Sequence, residues 1–216
     1  MVDSEPVDPG RTDPERSDAS PLRRSPLDRF ALSPLDAAST DGGLSLVELP
    51  GRMHLNIRLQ SDNRSAANAL KRATGMTLPK PGTYAVGEGM YLGWLSPDEF
   101  LLVADDEDTS SVMPALGQKL AKVHHALNDL SSGQTIVRIS GGNAAQVLAK
   151  GCTLDLHGEV FAAPMCAQTR LAKTQILLRA VAPEIFDVVV RRSFADYLWT
   201  WLTHAASDSA PEVGSV

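Results

Sequence analysis

The chain has 216 residues, 43% hydrophobic and 21% charged, with a formal net charge of −6. It is long enough for one large domain or two small interlocked ones, and its acidic balance excludes a non-specific nucleic-acid binder, which needs a basic face. Two cysteines, Cys152 and Cys166, are too few for a disulfide framework and point to a reducing compartment.

No apolar run approaches the roughly 20 residues of a membrane-spanning helix. The acidic, polar start lacks the basic and apolar regions of a secretory signal, so the cytoplasm is the expected location. Residues 1–24 are expected to form a disordered arm. Pro6, Pro9, Pro14 and Pro21 recur there among charged and small residues, and such a segment buries too little to offset the entropy of ordering. Leu22, Leu27, Phe30, Leu32 and Leu35 then add spaced apolar groups. They fit either an arm lying on a partner or a tail tucked against its own domain.

The folded region begins at Leu44. Ser45–Leu49 and Met53–Leu59 alternate polar and apolar residues as strands do, with Pro50-Gly51 as a turn signal between them. Asn63 and its neighbours offer caps for a helix whose Ala66, Ala67, Leu70 and Ala73 recur at helical spacing up to Gly75. Short strands follow near Tyr84–Val86 and Met90–Leu95. The apolar run Phe100–Ala104 reads as a strand covered on both faces. An acidic loop, Asp105–Asp108, precedes a helix striped by Val112, Leu116, Leu120 and Val123.

The same order then recurs. Thr135–Ile139 is alternating and β-branched, Ser140-Gly141-Gly142-Asn143 is a tight turn, and Ala144, Val147 and Leu148 mark a short helix stopped at Gly151. Asn143 is the expected side-chain cap of that helix. Two turns of helix do not survive alone in water, so it must be held by what it packs on. Strands at Cys166–Leu171, Gln175–Arg179 and Phe186–Arg191 come next, and a helix at Phe194–Leu202 closes the series. Ala66-Ala67 with Leu70 echoes Ala144-Ala145 with Leu148, and Pro97 before Phe100 echoes Pro183 before Phe186. Residues 25–125 and 126–206 are therefore expected as two α+β repeats. Each is a βαββα unit with mixed or antiparallel sheets and helices on one face. Residues 207–216 are expected as a loose tail.

Few residues are placed for chemistry. Gly141-Gly142 sits where a phosphate-binding turn would, but without a third glycine or a following lysine its expected role is a close-packed turn. His124-His125 are adjacent and on a helix would point about 100° apart. His54, His157 and His204 have no companion at helical spacing, so no metal site is expected. Both cysteines are expected as buried free thiols. Arg138 and Arg170 lie within strands and Arg191-Arg192 end one. They are either exposed or paired fork-like with Asp129, Asp155 or a partner chain. Tyr197, Trp199 and Trp201 make the last helix apolar around most of its girth, so it is either core or a contact with another protein. Asp129, Arg138, Asp155, Arg170, Arg191, Arg192, Trp199 and Trp201 are thus the candidate interface or structural residues.

SPLDRF near the start, LGWLSPDEFLLVADD, DLSSGQTIVRISGGNAAQVLAKGCTLDL, CAQTRLAKTQILLRA and FDVVVRRSFADYLWTWL occur in order from Ser25 to Ala205. Together they resemble the gamma subunit family of heterotetrameric sarcosine oxidase. That family is similar in fold to folate-binding aminomethyltransferases, whose ferredoxin-like repeated units match the duplicated order. The resemblance implies a non-catalytic structural or assembly subunit of a flavoprotein complex that oxidises sarcosine to glycine. The complex produces hydrogen peroxide and passes the one-carbon fragment to tetrahydrofolate or releases it as formaldehyde. FAD, FMN, NAD and zinc would then belong to the alpha, beta and delta partner subunits, and none to this chain. Asp129-Leu130-Ser131 leading to Arg138, Lys150-Gly151-Cys152, Cys166–Arg170 and Arg191–Phe194 carry the family's structural corners. Lys150-Gly151-Cys152 also begins a signature of cluster-assembly relatives. In those relatives the cysteine precedes an aromatic residue and a Gly-Gln-Glu, whereas this chain has Thr153-Leu154-Asp155-Leu156. A small subunit of a related complex such as N-methylglutamate dehydrogenase, and a stand-alone folate-dependent aminomethyltransferase-like enzyme, are the alternatives.

Overall fold

In the computed structural model, which describes residues 25–30, 44–105 and 109–207, the first half runs β1 (Ser45–Glu48), β2 (Met53–Leu59), α1 (Arg64–Thr74), β3 (Tyr84–Gly87), β4 (Met90–Ser96), β5 (Glu99–Ala104), α2 (Thr109–Leu120) and β6 (His125–Asp129). The second half runs β7 (Gln134–Ser140), α3 (Ala144–Ala149), β8 (Cys166–Leu171), β9 (Thr174–Ala182), β10 (Ile185–Arg191) and α4 (Arg192–Ser207). The expected arm over residues 1–24, residues 106–108 of the acidic loop and the tail beyond Ser207 lie outside the described residues.

Local chemistry sets the helix ends. Asn63 caps α1, its side chain accepting from the amides of Ser65 (2.9 Å) and Ala66 (3.2 Å), and Gly75 closes it in the left-handed conformation at φ 74°. Asn143 also stands at the cap position of α3, but its side chain makes no cap bond. That helix of six residues buries Ala144, Val147 and Leu148 and packs on α4, so tertiary contact takes the place of the expected cap.

Two five-stranded sheets form, in the orders β3-β4-β5-β2-β6 and β8-β9-β10-β7-β1. Every named pairing is antiparallel. The two orders are the same order. β2, β3, β4 and β5 correspond to β7, β8, β9 and β10, so each repeat places three strands between its helices. The fifth strand is exchanged. β1 precedes β2 in the chain but pairs with β7, Ser45 opposite Ser140 and Glu48 opposite Val137. β6 precedes β7 but pairs with β2, Leu59 opposite His125 and Leu55 opposite Asp129. The Pro50-Gly51 turn therefore closes no hairpin; it passes the chain from one sheet to the other. His125 lies on a strand, which corrects the helical geometry assumed for His124-His125.

The sheets stack face to face with helices outside. α1 and α2 cover Met53, Leu55, Ile57, Phe100 and Leu102 on one outer face. α3 and α4 cover Val137, Ile139, Leu178, Val188 and Val190 on the other. The inner faces meet through Leu101, Val103, Ile136, Leu177 and Val189. Phe100–Ala104 is buried throughout because successive side chains enter different layers. Along one edge the sheets are tied together: the Tyr84 amide donates to Pro164 O (2.9 Å) and the Cys166 amide to Gly82 O (2.9 Å). Residues 25–30 lie against their own domain. Leu27 is fully buried among the α4-side core residues, and the Ser25 hydroxyl donates to the Glu48 carboxylate.

Candidate functional site

The layer between the sheets is polar at one end. Arg138, Asp187 and Arg179 are cross-strand neighbours on β7, β10 and β9, and the alternation of the strands turns all three inward. Asp187 is fully buried. Arg138 grips it in a fork, Nε to Oδ1 at 2.7 Å and a terminal nitrogen to Oδ2 at 3.1 Å, and Arg179 reaches Oδ2 at 2.5 Å. The Arg179 guanidinium lies 3.8 Å from the centre of the Tyr91 ring and 5.0 Å from that of Tyr84. The Tyr84 hydroxyl donates to Ala180 O at 2.8 Å. Burial raises both phenols above their ordinary range, with Arg179 opposing. A carboxylate in an otherwise apolar strand is tolerated here because two cations and the tyrosine faces replace water.

His54 lies in the same row as Val103 and Tyr91 on the facing sheet. Its ring is buried with both nitrogens unpartnered among the described residues. Burial lowers its pKa to about 4, partly offset by Asp129 and reinforced by Arg52. The imidazole is neutral at neutral pH.

The residues singled out from sequence fall into two groups. Trp199 is buried and Arg138 half-buried, and Arg138 pairs with Asp187, which sequence reasoning does not single out. A lone carboxylate inside the apolar run Ile185–Val190 is the available signal. Asp129 Oδ1 accepts from the amide (2.9 Å) and the hydroxyl (2.5 Å) of Ser131, and Asp155 Oδ1 accepts from the His157 amide (3.0 Å); both shape turns. Arg170, Arg191 and Arg192 are exposed. Arg191 and Arg192 border an open cleft of about 900 Å³ between residues 25–28 and the start of α4, where Gly133 and Asp196 also lie. Trp201, half-buried, packs on Gly151 so closely that a Cβ there would sit 2.7 Å from its ring and 3.0 Å from the Ala172 amide nitrogen.

The model of the sarcosine oxidase gamma subunit family matches residues 58–208. This chain belongs to that family. It is 34% identical over 186 residues to the sarcosine oxidase gamma subunit of Corynebacterium sp. strain U-96, covering 83% of this chain and 88% of the relative. Identity is 31% over 176 residues to that of Arthrobacter sp., covering 80% and 84%. Among solved structures, a chain of the heterotetrameric sarcosine oxidase from Corynebacterium sp. U-96, in complex with pyrrole 2-carboxylate, superposes with a TM-score of 0.81 at 33% identity over 89% of this chain and 100% of that one. The glycine cleavage system aminomethyltransferase T from Bartonella henselae shares the fold, with a TM-score of 0.55 at 16% identity over 76% of this chain and 49% of that one. The duplicated, aminomethyltransferase-like α+β architecture is therefore the architecture of this gamma-family chain.

Among the described residues no three His, Cys, Asp or Glu side chains converge. Cys166 Sγ donates to Thr83 O at 3.2 Å, and burial pushes its pKa up to about 11, far from a ready thiolate. Cys152 and Cys166 are both free and buried. The Gly141 amide is committed to Glu184 O (3.0 Å) and its carbonyl to the Ala144 amide (2.8 Å), so the Gly141-Gly142 turn serves packing. No helix of the described residues is long and apolar enough to cross a membrane.

Proposed function

We propose that this chain is a contact subunit of a sarcosine-oxidising flavoprotein assembly, with no catalytic residue of its own. Its partners are the alpha, beta and delta subunits, which carry FAD, FMN, NAD and zinc, and the one-carbon fragment leaves as formaldehyde or on tetrahydrofolate. The observation that carries this reading is the superposition over 89% of this chain with the whole of one chain of heterotetrameric sarcosine oxidase. The exposed arginines and the start of α4 support it as the contact face. Arg170 and Arg192 are exposed, and Phe194, 43% exposed, is a large apolar side chain beside Arg192. Arginine and aromatic side chains of this kind anchor protein interfaces.

The test is co-expression of the four subunits with Arg192→Glu and Phe194→Ser in this chain. The yield of assembled complex should fall while turnover per bound flavin in the complex that does form stays at the unsubstituted value. An unchanged yield overturns the assignment of the face. Reduced turnover at unchanged yield overturns the non-catalytic reading.

A further inference from the structure

The end of the inter-sheet layer opposite the Asp187 cluster opens into a cavity of about 190 Å³. Its wall on one sheet is a row fixed by strand register. Gln134 on β7 is the cross-strand partner of Arg191 on β10, and Gln175 follows on β9, one residue beyond the Ile176–Val190 pair. All three side chains share the face of Ile136, Val189 and Leu177, which point at the other sheet. The opposite wall is supplied by Asn56 and Glu99. There the Asn56 amide donates to Glu99 Oε1 at 2.8 Å and Arg58 to Oε2 at 2.9 Å, which holds the carboxylate in place with lone pairs to spare. The floor between the walls is apolar, made of Leu101, Leu177 and Val189.

Two groups at this cavity lack partners. Gln134 Oε1 is buried and accepts no hydrogen bond among the described residues, and a buried acceptor left unmet costs about 1–3 kcal/mol. Arg191, which lines the same cavity, makes no ion pair with any described residue. A guanidinium and, beside it on the same sheet, an unmet carboxamide oxygen therefore lie across an apolar floor from a held carboxylate. We propose that this cavity binds a small zwitterionic α-amino acid. Its carboxylate lies on Arg191, its ammonium donates to Glu99 and to Gln134 Oε1, and its short side chain rests on the leucines and the valine. The size agrees, since a cavity of roughly 150 Å³ holds one six-membered ring. A free anion would leave Gln134 and Glu99 unanswered, and a simple amine would leave Arg191 so.

The test is calorimetric titration of the full-length chain, free of partners, with glycine and with L-alanine, against acetate and methylamine as the two halves of the ligand. Both amino acids should bind saturably and about tenfold more tightly than either half. Arg191→Gln, at the exposed rim, and Gln134→Met, which keeps the length of the side chain, should each weaken glycine binding by about tenfold. Backbone amide shifts of β7 and β10 on glycine addition place the site, and the circular dichroism spectrum confirms that each variant is folded. Acetate binding as well as glycine would reduce the site to an anion contact and overturn the proposal, as would methylamine binding as well as glycine. No saturable heat with either amino acid, or binding indifferent to Arg191→Gln, overturns it equally.

Discussion

Replacing Asp187 by Asn removes the charge that two guanidinium groups share while keeping the side chain's shape. The two arginines are not equally able to adapt. The side chain of Arg138 is 34% exposed and can turn to water, whereas that of Arg179 is 11% exposed and lies against Tyr91 and Tyr84. Breaking a buried pair by neutralising one partner costs about 3–5 kcal/mol, because the other charge stays behind unpaired. Asp187→Asn should lose about that much. Arg138→Ala, which leaves Arg179 on Asp187, should cost only about 1.5–3 kcal/mol, the range of a hydrogen bond to a charged group. For a chain of this size each kcal/mol moves Tm by about 2–4 °C, so Asp187→Asn should melt roughly 6–20 °C below the unsubstituted chain. Urea unfolding of the full chain, with Tm by circular dichroism, measures both variants. The loss should be nearly independent of salt, since buried pairs are weakly screened. A cost below about 1 kcal/mol for Asp187→Asn, or one no larger than that of Arg138→Ala, refutes the account of the triad as the fixed point between the sheets.

Three other outcomes rest on particular contacts. Leu27→Ala should cost about 2–5 kcal/mol in urea unfolding, since Leu27 is fully buried, whereas deletion of residues 1–21 should leave Tm unchanged; equal effects would contradict the anchoring of residues 25–30. His54, with its pKa lowered from 6.5 to about 4, takes up a proton on unfolding between those values. Stability should therefore fall as pH drops from about 6.5 toward 4, by about 3 kcal/mol at most, and His54→Leu should flatten that part of the curve. Gly151→Ala should cost about 1–3 kcal/mol by overpacking, with a change in tryptophan emission as Trp201 is displaced; an unaltered spectrum and Tm would show that the corner has room.

The duplicated order is legible in the sequence because its signals are local. Asn63 and Gly75 bound α1, the alternation of Thr135–Ile139 marks a strand, and Phe100–Ala104 is too uniformly apolar for a strand wetted on one side. The exchange of β1 and β6 is not legible. A leading strand looks the same whichever sheet it joins, and Pro50-Gly51 turns the chain equally well toward a hairpin or away from one. β6 itself escapes a reading by pattern because only Ala126 and Leu127 of its five residues are apolar, too few to alternate. Arg138 reads as a fork in search of a carboxylate, but its partner is set by register across β7 and β10, and register is a property of paired strands. The cavity beside Gln134 is invisible for the same reason: its polar groups come from strands far apart in the chain.

How the layers are closed bears on what a contact with partner subunits must be made of. Both sheets bury both faces, and the helices turn their apolar stripes inward, so no broad apolar surface remains among the described residues. The exposed large hydrophobics there are Val86, Val160 and Phe194, and single exposed apolar residues are ordinary on a soluble surface. Arg170, Arg191 and Arg192 are exposed on strand ends and at the start of α4. The described residues therefore present scattered apolar side chains and no continuous hydrophobic face. On the proposed reading the contact would draw on Arg170 and Arg192 at the rim, whose guanidinium forks read a carboxylate or carbonyl by geometry, with Phe194 as an apolar anchor among them. The same closure explains how the chain keeps charged groups inside: Asp187, Arg138 and Arg179 occupy the layer between sheets, where strand register fixes all three partners at once.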